Sequence, residues 1–339
     1  MAQRKPVLGQ GGPTLRDVAA AAGVSVWTAS TTYSNPGKVA EATRQRVHDA
    51  AAALGYLGPH PGARSLARGR TGTIAFVAPG DVEALLADPA AALVARGLLT
   101  ACDRAGYSML LSGRASGEMV DGRVFFRDAA RADGRAPAIV VDGAGVEGVR
   151  PVGADVRGAA AMVAGHLYGL GHRDLVVLAW QGAEERLAGV REGWGGSEPL
   201  TVLMLDGGAR GAAAQRAGAT PGPTPAAGEA LARAALTRRP RPTALLALSD
   251  TLALSALQAA HWAGLDVPGD VSVAGLDDLP GSAAAGLTSA LIPYRPLGER
   301  AGDLLTAELA GEEVAASPEL PTALSIRRST APPRAGRRN

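Results

Sequence analysis

The residues TLRDVAAAAGVSVWTASTTYSNPGKV, at positions 14–39, predict two short helices joined by a tight turn. Thr14 and Asp17 have the spacing of a capping box, and apolar residues then recur at helical spacing. Gly23 suits a left-handed helix end, and Ser25 can cap the next helix after a three-residue break. So short a turn is typical of a helix-turn-helix, whose second helix lies in the major groove of DNA. Short helical hairpins also occur as plain packing elements.

Positive charge is concentrated in this first part of the chain. Residues 1–70 contain nine basic and three acidic side chains, a net charge of +6, whereas the rest of the chain has a net charge of −4. A basic segment beside a mildly acidic body indicates contact with a polyanion; the alternative is an ordinary solvated face. Charge alone leaves both interpretations open.

Length and composition bound the class of protein. The 339 residues suffice for two or three domains, and 47% of them are apolar, as expected of a globular chain. The single cysteine, Cys102, permits no internal disulfide. We find neither an export signal nor a run of 18 apolar residues, so the sequence predicts a cytoplasmic protein without membrane contact.

Several motifs in residues 14–79 follow one another at consistent spacing. They are DVAAAAGVS (17–25), TAS (28–30), LGY (54–56) and ARSLARGRTGTI (63–74). With these motifs the segment resembles the lactose/galactose repressor (LacI/GalR) family. The resemblance implies a transcriptional regulator, by default a repressor, that binds a palindromic operator as a homodimer and is controlled by a small-molecule effector.

By the resemblance, the base-contacting positions are Val26, Trp27 and Thr31. The family commonly has arginine at the last of these, and its paired contact with guanine is worth about 1–3 kcal/mol of discrimination. Here valine and threonine offer methyl groups to thymine and the tryptophan offers a flat surface, unless Trp27 packs on a neighbouring helix. The residues expected at the DNA are Thr14, Ser25, Val26, Trp27, Thr28, Ser30, Thr31, Arg64, Leu66, Ala67 and Arg68.

The segment ARSLARG (63–69) matches the family's hinge, which forms a helix when the dimer binds its operator. The resemblance implies that Leu66 enters the minor groove and bends the duplex. Arg64, Arg68 and Arg70 are suited to phosphate contacts. The alternative for Leu66 is an ordinary core leucine.

From Thr73 onward, short apolar strands alternate with helical segments. The predicted strands are TIAFVAP (73–79), YSMLLS (107–112), AIVVDG (138–143), DLVVLA (174–179), LTVLML (200–205), ALLALS (244–249) and VSVAGL (271–276). This pattern predicts two lobes with parallel sheets and a ligand cleft at the carboxyl ends of the strands. The predicted fold is therefore an all-α helix-turn-helix headpiece followed by a bilobed α/β core with two doubly wound sheets.

The core again resembles the effector domain of the same family, which is itself similar to periplasmic sugar-binding proteins. The match is tight in RLAGVREGW (186–194) and across residues 243–280. It implies that Arg186, Asp250 and Asp277 face a sugar or related effector, with Asp155 as a weaker candidate. For each, the alternative is a structural cap or a surface ion pair.

The predicted domain boundaries follow from these segments. They are a disordered amino terminus (1–13), the helix-turn-helix domain (14–60), the hinge (61–71), the core (72–330) and a disordered tail (331–339). Within the core, the N-lobe comprises 72–153 with 293–330, and the C-lobe comprises 154–292. Too few residues separate YSMLLS from Asp155 for the family's full set of βα units, so one N-lobe unit is expected to be shortened or missing.

Other classes of function find little support. The G-x-G-x-x-G in DGAGVEG (142–148) follows a strand, but Pro151 arrives before a helix could grow, which favours a glycine-rich loop. The five histidines lack metal-ligand spacing and no serine lies in a nucleophile elbow, so we expect no metal, cofactor or enzymatic activity. The rivals are a periplasmic-type ligand-binding protein without a DNA role and a sugar-modifying α/β enzyme.

Overall fold

The computed structural model describes residues 12–58, 70–77, 82–113, 119–130, 132–195, 199–205 and 223–334. The chain divides into two compact units, residues 1–71 and 72–339. The first is all-α and the second is α/β, which confirms the predicted fold class. The hinge residues Arg64, Leu66, Ala67 and Arg68 lie outside the described residues.

Three helices form the first unit. They are α1 (Leu15–Ala22), α2 (Val26–Ser34) and α3 (Glu41–Leu54), with a 3-10 turn at Pro36–Lys38 between the last two. Gly23 ends α1 with a φ of 65°, in the left-handed region that disfavours a side chain. This glycine turns the chain so sharply that α2 begins three residues later.

Side-chain caps define where the first two helices start. The predicted capping box is present, because Asp17 accepts a hydrogen bond from the Thr14 amide at 2.8 Å and the Thr14 hydroxyl caps the Asp17 amide. The Ser25 hydroxyl accepts a hydrogen bond from the Thr28 amide at 3.0 Å. Each cap satisfies an amide that the first helical turn leaves unpaired.

The core of the first unit is small and made mostly of alanine and valine. Val18, Ala19, Ala29, Val47 and Ala51 are buried in one cluster drawn from all three helices. These short side chains let the helices approach one another closely.

The second unit begins with a five-stranded parallel sheet in the order β2-β1-β3-β4-β5. Its strands are β1 (Thr73–Val77), β2 (Ser108–Ser112), β3 (Gly122–Phe126), β4 (Ala138–Val141) and β5 (Val149–Val152). Helices α4 (Val82–Ala87) and α5 (Pro89–Ala105) lie between β1 and β2. This sheet is the core of the N-lobe.

Among the described residues of the N-lobe, one face of the sheet carries no helical layer, in the region where a shortened or missing βα unit was expected. No described residue between β2 and β3, or between β3 and β4, is helical. Ala129 and Ala132 of the β3–β4 loop pack on that face instead. An ion pair joins the buried Arg123 of β3 to the partly buried Asp133 of the same loop at 3.1 Å. The loop thus replaces part of the missing cover.

The C-lobe contains a six-stranded sheet in the order β11-β10-β9-β8-β6-β7, parallel except for β11. Its strands are β6 (Leu175–Ala179), β7 (Leu200–Met204), β8 (Ala244–Ala247), β9 (Ser272–Asp277), β10 (Thr288–Leu291) and β11 (Ala323–Ser325). Its helices are α6 (Val156–Gly169), α7 (Glu184–Gly193), α8 (Pro225–Leu236), α9 (Asp250–Trp262) and α10 (Pro280–Ala285).

The last part of the chain contributes to both lobes, which corrects the predicted lobe boundary. Helix α11 (Tyr294–Ala310) packs on α5 in the N-lobe, as expected, but β11 pairs with β10 in the C-lobe. Residues 293–330 therefore do not all belong to the N-lobe. The prediction of a disordered tail at 331–339 is wrong for residues 331–334. The Ser272 hydroxyl donates a hydrogen bond to the Ala331 carbonyl at 3.1 Å, and Arg334 forms an ion pair with Asp266.

Helices α5 and α11 cross with their backbones in contact. A Cβ atom added to Gly298 would lie 2.0 Å from the carbonyl oxygen of Val94, and one added to Gly97 would lie 2.0 Å from that of Arg295. Neither neighbour is a flexible side chain that could move aside. The crossing sets how α11, and with it Tyr294, is placed at the edge of the lobe.

We therefore expect Gly298→Ala to push the two helices apart and to lower the free energy of unfolding by roughly 1–3 kcal/mol, as overpacking does. Chemical denaturation followed by circular dichroism measures this change. The matched control is Gly169→Ala, because a Cβ there meets nothing within 4 Å and alanine favours helix. Equal stability of the two variants would contradict the close crossing.

Candidate functional site

Helix α2 presents an apolar edge to solvent at its amino-terminal end. Trp27 is 73% exposed and Val26 is 45% exposed. Trp27 therefore does not pack into the core of the first unit, which removes the alternative considered for it. In a helix-turn-helix, residues at this end of the second helix are the ones that contact base edges.

Thr31 departs from the prediction. Its side chain is 7% exposed, and its hydroxyl donates to the Trp27 carbonyl at 2.8 Å. The short threonine thus lies against its own helix, whereas a long arginine at the same position would extend past it. Thr31 is corrected from a base-contacting residue to a buried one.

The other predicted residues of the first unit fall into two groups. Thr14 and Ser25 are exposed helix caps, and Ser25 also lies 2.8 Å from the hydroxyl of Thr28. Ser30 is partly exposed on the same side of α2 as Trp27. A contact of any of these with DNA stays a prediction.

In the second unit, charged side chains meet where the two lobes face each other, at the carboxyl ends of the parallel strands. The N-lobe contributes Arg127 after β3, Asp142 after β4 and Tyr294 at the start of α11. The C-lobe contributes Asp277 at the end of β9 and Arg186 on α7. We call these five residues the cleft network.

Arg186 is the centre of the cleft network. Its Nη1 donates to Asp277 Oδ1 and to the Leu248 carbonyl, both at 2.8 Å. Its Nη2 donates to Tyr294 Oη at 2.8 Å and lies 3.4 Å from Asp142 Oδ2. Arg186 is only 5% exposed, and its guanidinium stays ionised. The buried positive charge is therefore compensated by partners from both lobes.

Arg127 completes the N-lobe side of the cleft network. Its Nε donates to Asp142 at 3.0 Å and its Nη1 to Asp88 at 2.9 Å, while its guanidinium lies 4.4 Å from the centre of the Phe126 ring. The Tyr294 hydroxyl lies 2.7 Å from Asp277, across the lobe boundary. The two guanidinium groups of the cleft network thus donate to carboxylates of both lobes, and the Tyr294 hydroxyl accepts from Arg186 and donates to Asp277.

The backbone is strained where the cleft network is anchored. Arg127, Asp142 and Asp277 have φ values of 63°, 55° and 117°, in a backbone region that residues other than glycine rarely adopt. Each such residue costs on the order of 1–3 kcal/mol, and strain of this kind clusters at functional sites. It turns the three charged side chains from the strand ends into the cleft.

Asp250 does not face the cleft, contrary to prediction. It is fully buried, and its carboxylate accepts hydrogen bonds from the amide of Leu279 at 2.9 Å, from Ser289 at 2.6 Å and from Ser282. These partners all belong to the C-lobe, where Asp250 joins α9 to α10 and β10. Burial, with a contribution from the nearby Asp277, raises the pKa of Asp250 to about 7.

Asp155 is likewise a structural residue. It is exposed, and its carboxylate accepts a hydrogen bond from the Gly158 amide at 2.7 Å, which caps α6. Of the four predicted effector residues, Arg186 and Asp277 have their side chains in the cleft network, while Asp250 contacts Asp277 through its backbone amide at 3.3 Å. Sequence reasoning missed Asp88, Arg127, Asp142 and Tyr294, although Asp142 lies at the carboxyl end of the predicted strand AIVVDG (138–143) and that position was an available signal.

Comparisons with known proteins agree with this arrangement. Residues 14–58 match the family of bacterial regulatory proteins, lacI family, and residues 164–330 match a periplasmic binding protein-like domain. An HTH-type transcriptional regulator of Mycobacterium tuberculosis is 32% identical over 336 residues, which cover 86% of this chain and 90% of that protein. The regulator CelR of Thermobifida fusca is 31% identical, over 88% of this chain and 93% of that one.

Solved structures show the same likeness. A lac repressor dimer bound to operator and the anti-inducer ONPF superposes with a TM-score of 0.75 at 25% identity, covering 95% of this chain and all of that one. A CelR–cellobiose complex has a TM-score of 0.64 at 28% identity, over 94% of this chain and 99% of that one.

A helix-turn-helix unit followed by a two-lobed α/β domain with a charged cleft defines a class of DNA-binding regulators with an effector domain. The chain belongs to the LacI family of transcriptional regulators. In the part of the chain that the structure describes, no helix is long and apolar enough to cross a membrane. The same residues contain no group of three or more histidine, cysteine or acidic side chains suited to a metal ion.

The buried carboxyl of Asp250 predicts a pH dependence of stability. Its folded-state pKa of about 7 lies above the ordinary 3.8, so the folded protein keeps a proton that the unfolded chain releases. The resulting stabilisation is complete below pH 4 and is lost as the pH rises through 7, with a slope of up to ~1.4 kcal/mol per pH unit.

Asp250→Asn should lack this component, because the amide does not titrate. We expect the free energy of unfolding of the wild type, relative to the variant, to fall between pH 4 and 7 and to level off above pH 8. Urea denaturation at each pH measures the difference. Parallel curves for the two proteins would show that Asp250 ionises normally.

Proposed function

We propose that this chain binds a palindromic operator as a homodimer and that a small-molecule effector in the cleft controls the binding, by default as a repressor. The observation that carries the proposal is the pairing of an exposed α2 edge in a basic helix-turn-helix unit with a cross-lobe network of charges. The structure of a lac repressor dimer on its operator, which the chain resembles along 95% of its length, supports the same role. Such a protein works at the chromosome, in the cytoplasm, by binding and not by catalysis.

The cleft network favours a neutral effector rich in hydroxyl groups. Its guanidinium groups donate hydrogen bonds and its carboxylates accept them, so a hydroxyl can accept from Arg186 and donate to Asp277 at once. A sugar presents several such groups in fixed positions, and the similar regulator CelR has been solved with cellobiose. An effector must replace some of the bonds that now join the lobes.

Replacement of those bonds links the cleft to the operator. A ligand shifts an equilibrium between two arrangements of the lobes only by its differential affinity for them. Effector and operator then change each other's affinity by the same factor, which in allosteric proteins typically corresponds to about 1–3 kcal/mol.

The test of the proposed function is a gel shift on the DNA beside the chain's own gene. We expect a complex that weakens as salt rises, since phosphate contacts release counterions. Competitor DNA of random sequence should remove non-specific binding and leave the operator complex. Failure to bind any palindrome there, together with retained ligand binding, would favour a periplasmic-type ligand-binding protein.

Asp277→Asn should keep operator binding and lose the response to effector, because the amide removes one charged acceptor while preserving shape. Thermal-shift screening identifies an effector first, since a ligand at 100 times its Kd stabilises by about 2.7 kcal/mol. Fluorescence anisotropy on operator DNA, with and without that effector, then measures the response. Asp155→Asn is the control, as this carboxylate caps α6 outside the cleft network, and a response that survives in Asp277→Asn excludes Asp277 from the site.

The proposal also includes the hinge, with Leu66 in the minor groove and Arg64, Ala67 and Arg68 beside it. Leu66→Ala should weaken operator binding by roughly 10-fold or more, because the kinked DNA loses its apolar wedge. Anisotropy measures the affinity, and sedimentation checks that the variant remains a dimer. Unchanged affinity in an intact dimer refutes the wedge.

A further inference from the structure

The second helix of the helix-turn-helix has an unusual composition for a segment that selects a DNA sequence. Residues 24–34, VSVWTASTTYS, include no charged residue and neither asparagine nor glutamine. Arginine and lysine recognise guanine, and asparagine and glutamine recognise adenine, through paired hydrogen bonds in the major groove. None of these contacts is available to α2.

The hydroxyl groups of α2 are largely committed to the protein itself. Those of Thr31, Thr32 and Ser34 donate to the carbonyls four residues earlier, at 2.8, 3.0 and 3.0 Å. The hydroxyl of Thr28 lies 2.8 Å from that of Ser25. To donate a hydrogen bond to a base, the hydroxyls of Thr31, Thr32 and Ser34 would first have to break these local bonds.

What α2 does offer is apolar surface. Trp27 and Val26 stand at its amino-terminal end with 73% and 45% of their surface exposed. Both side chains belong to the first turn of α2, the end of the helix that contacts base edges in a helix-turn-helix. A tryptophan this exposed gains free energy when a partner removes it from water.

We propose that this regulator recognises its operator through the 5-methyl groups of thymine, contacted by Trp27 and Val26. Thymine is the base that presents an apolar group in the major groove, so an apolar helix end distinguishes it from the other three. The inference rests on the proposed function, because it names the feature of the operator that α2 selects.

The experiment begins with selection of the operator from random duplexes by the full chain. Each thymine of the selected half-site is then replaced by uracil, which removes the methyl group and keeps the base-pairing edge. We expect the Kd to rise about 4-fold per half-site at one or two positions, the value for exposing one buried methyl group, and to stay unchanged at the other thymines. Fluorescence anisotropy measures each Kd.

The same duplexes are tested with Trp27→Ala. This variant should bind the thymine operator more weakly and should no longer distinguish thymine from uracil at the sensitive positions. Trp262→Ala is the matched control, since Trp262 is a 57% exposed tryptophan on α9 of the second unit. It should retain both the affinity and the uracil sensitivity of the wild type.

The outcomes separate this inference from the proposed function. Position-specific uracil sensitivity that disappears in Trp27→Ala supports the contact. A specific, salt-sensitive complex in which uracil is equivalent to thymine throughout, or in which Trp27→Ala keeps the discrimination, overturns the inference and leaves the regulator intact. Failure to select any sequence overturns both.

Discussion

A guanidinium buried between two lobes must have its hydrogen bonds satisfied, and much of the second unit is arranged to satisfy those of Arg186. Removing such a charge from water costs several kcal/mol, which only well-placed partners offset. Asp277 and the Leu248 carbonyl supply partners from the C-lobe, while Tyr294 and Asp142 supply them from the N-lobe. Because the partners come from both lobes, relative movement of the lobes changes the energy of this one charge.

Three features of the second unit position the residues around Arg186: the strained backbone at the strand ends, the β3–β4 loop and the crossing of α5 and α11. The left-handed backbone at Arg127, Asp142 and Asp277 turns three charged groups from the strand ends into the cleft network, where Asp142 and Asp277 contact Arg186. The β3–β4 loop, which carries Arg127 at its start, replaces a helical layer over one sheet face. The glycine crossing of α5 and α11 sets the position of Tyr294. Segments that are far apart in the sequence thus position the side chains of the cleft network.

Sequence reasoning anticipated the features that depend on local pattern. The capping box at Thr14, the turn at Gly23 and the alternation of strands and helices follow from short-range chemistry. The strands β3, β5, β10 and β11 were missed. Polar residues, glycine or proline interrupt the apolar run in GRVFF, VRPV and TSAL, and β11 has only three residues. Asp250 and Asp277 follow similar strands, yet the first turns into the C-lobe and the second into the cleft. Thr31 was misplaced because its role was carried over from a long arginine, whereas the short threonine side chain is buried and bonds to the Trp27 carbonyl.

Arg186 joins the lobes through Tyr294, and a double-mutant cycle measures the strength of that link. The free energies of unfolding of Tyr294→Phe, Arg186→Gln and the double variant are measured in urea and compared with the wild type. We expect a coupling energy of at least about 1 kcal/mol, as for residues that share a buried hydrogen-bond network. Additive effects of the two substitutions, with no coupling, would contradict it.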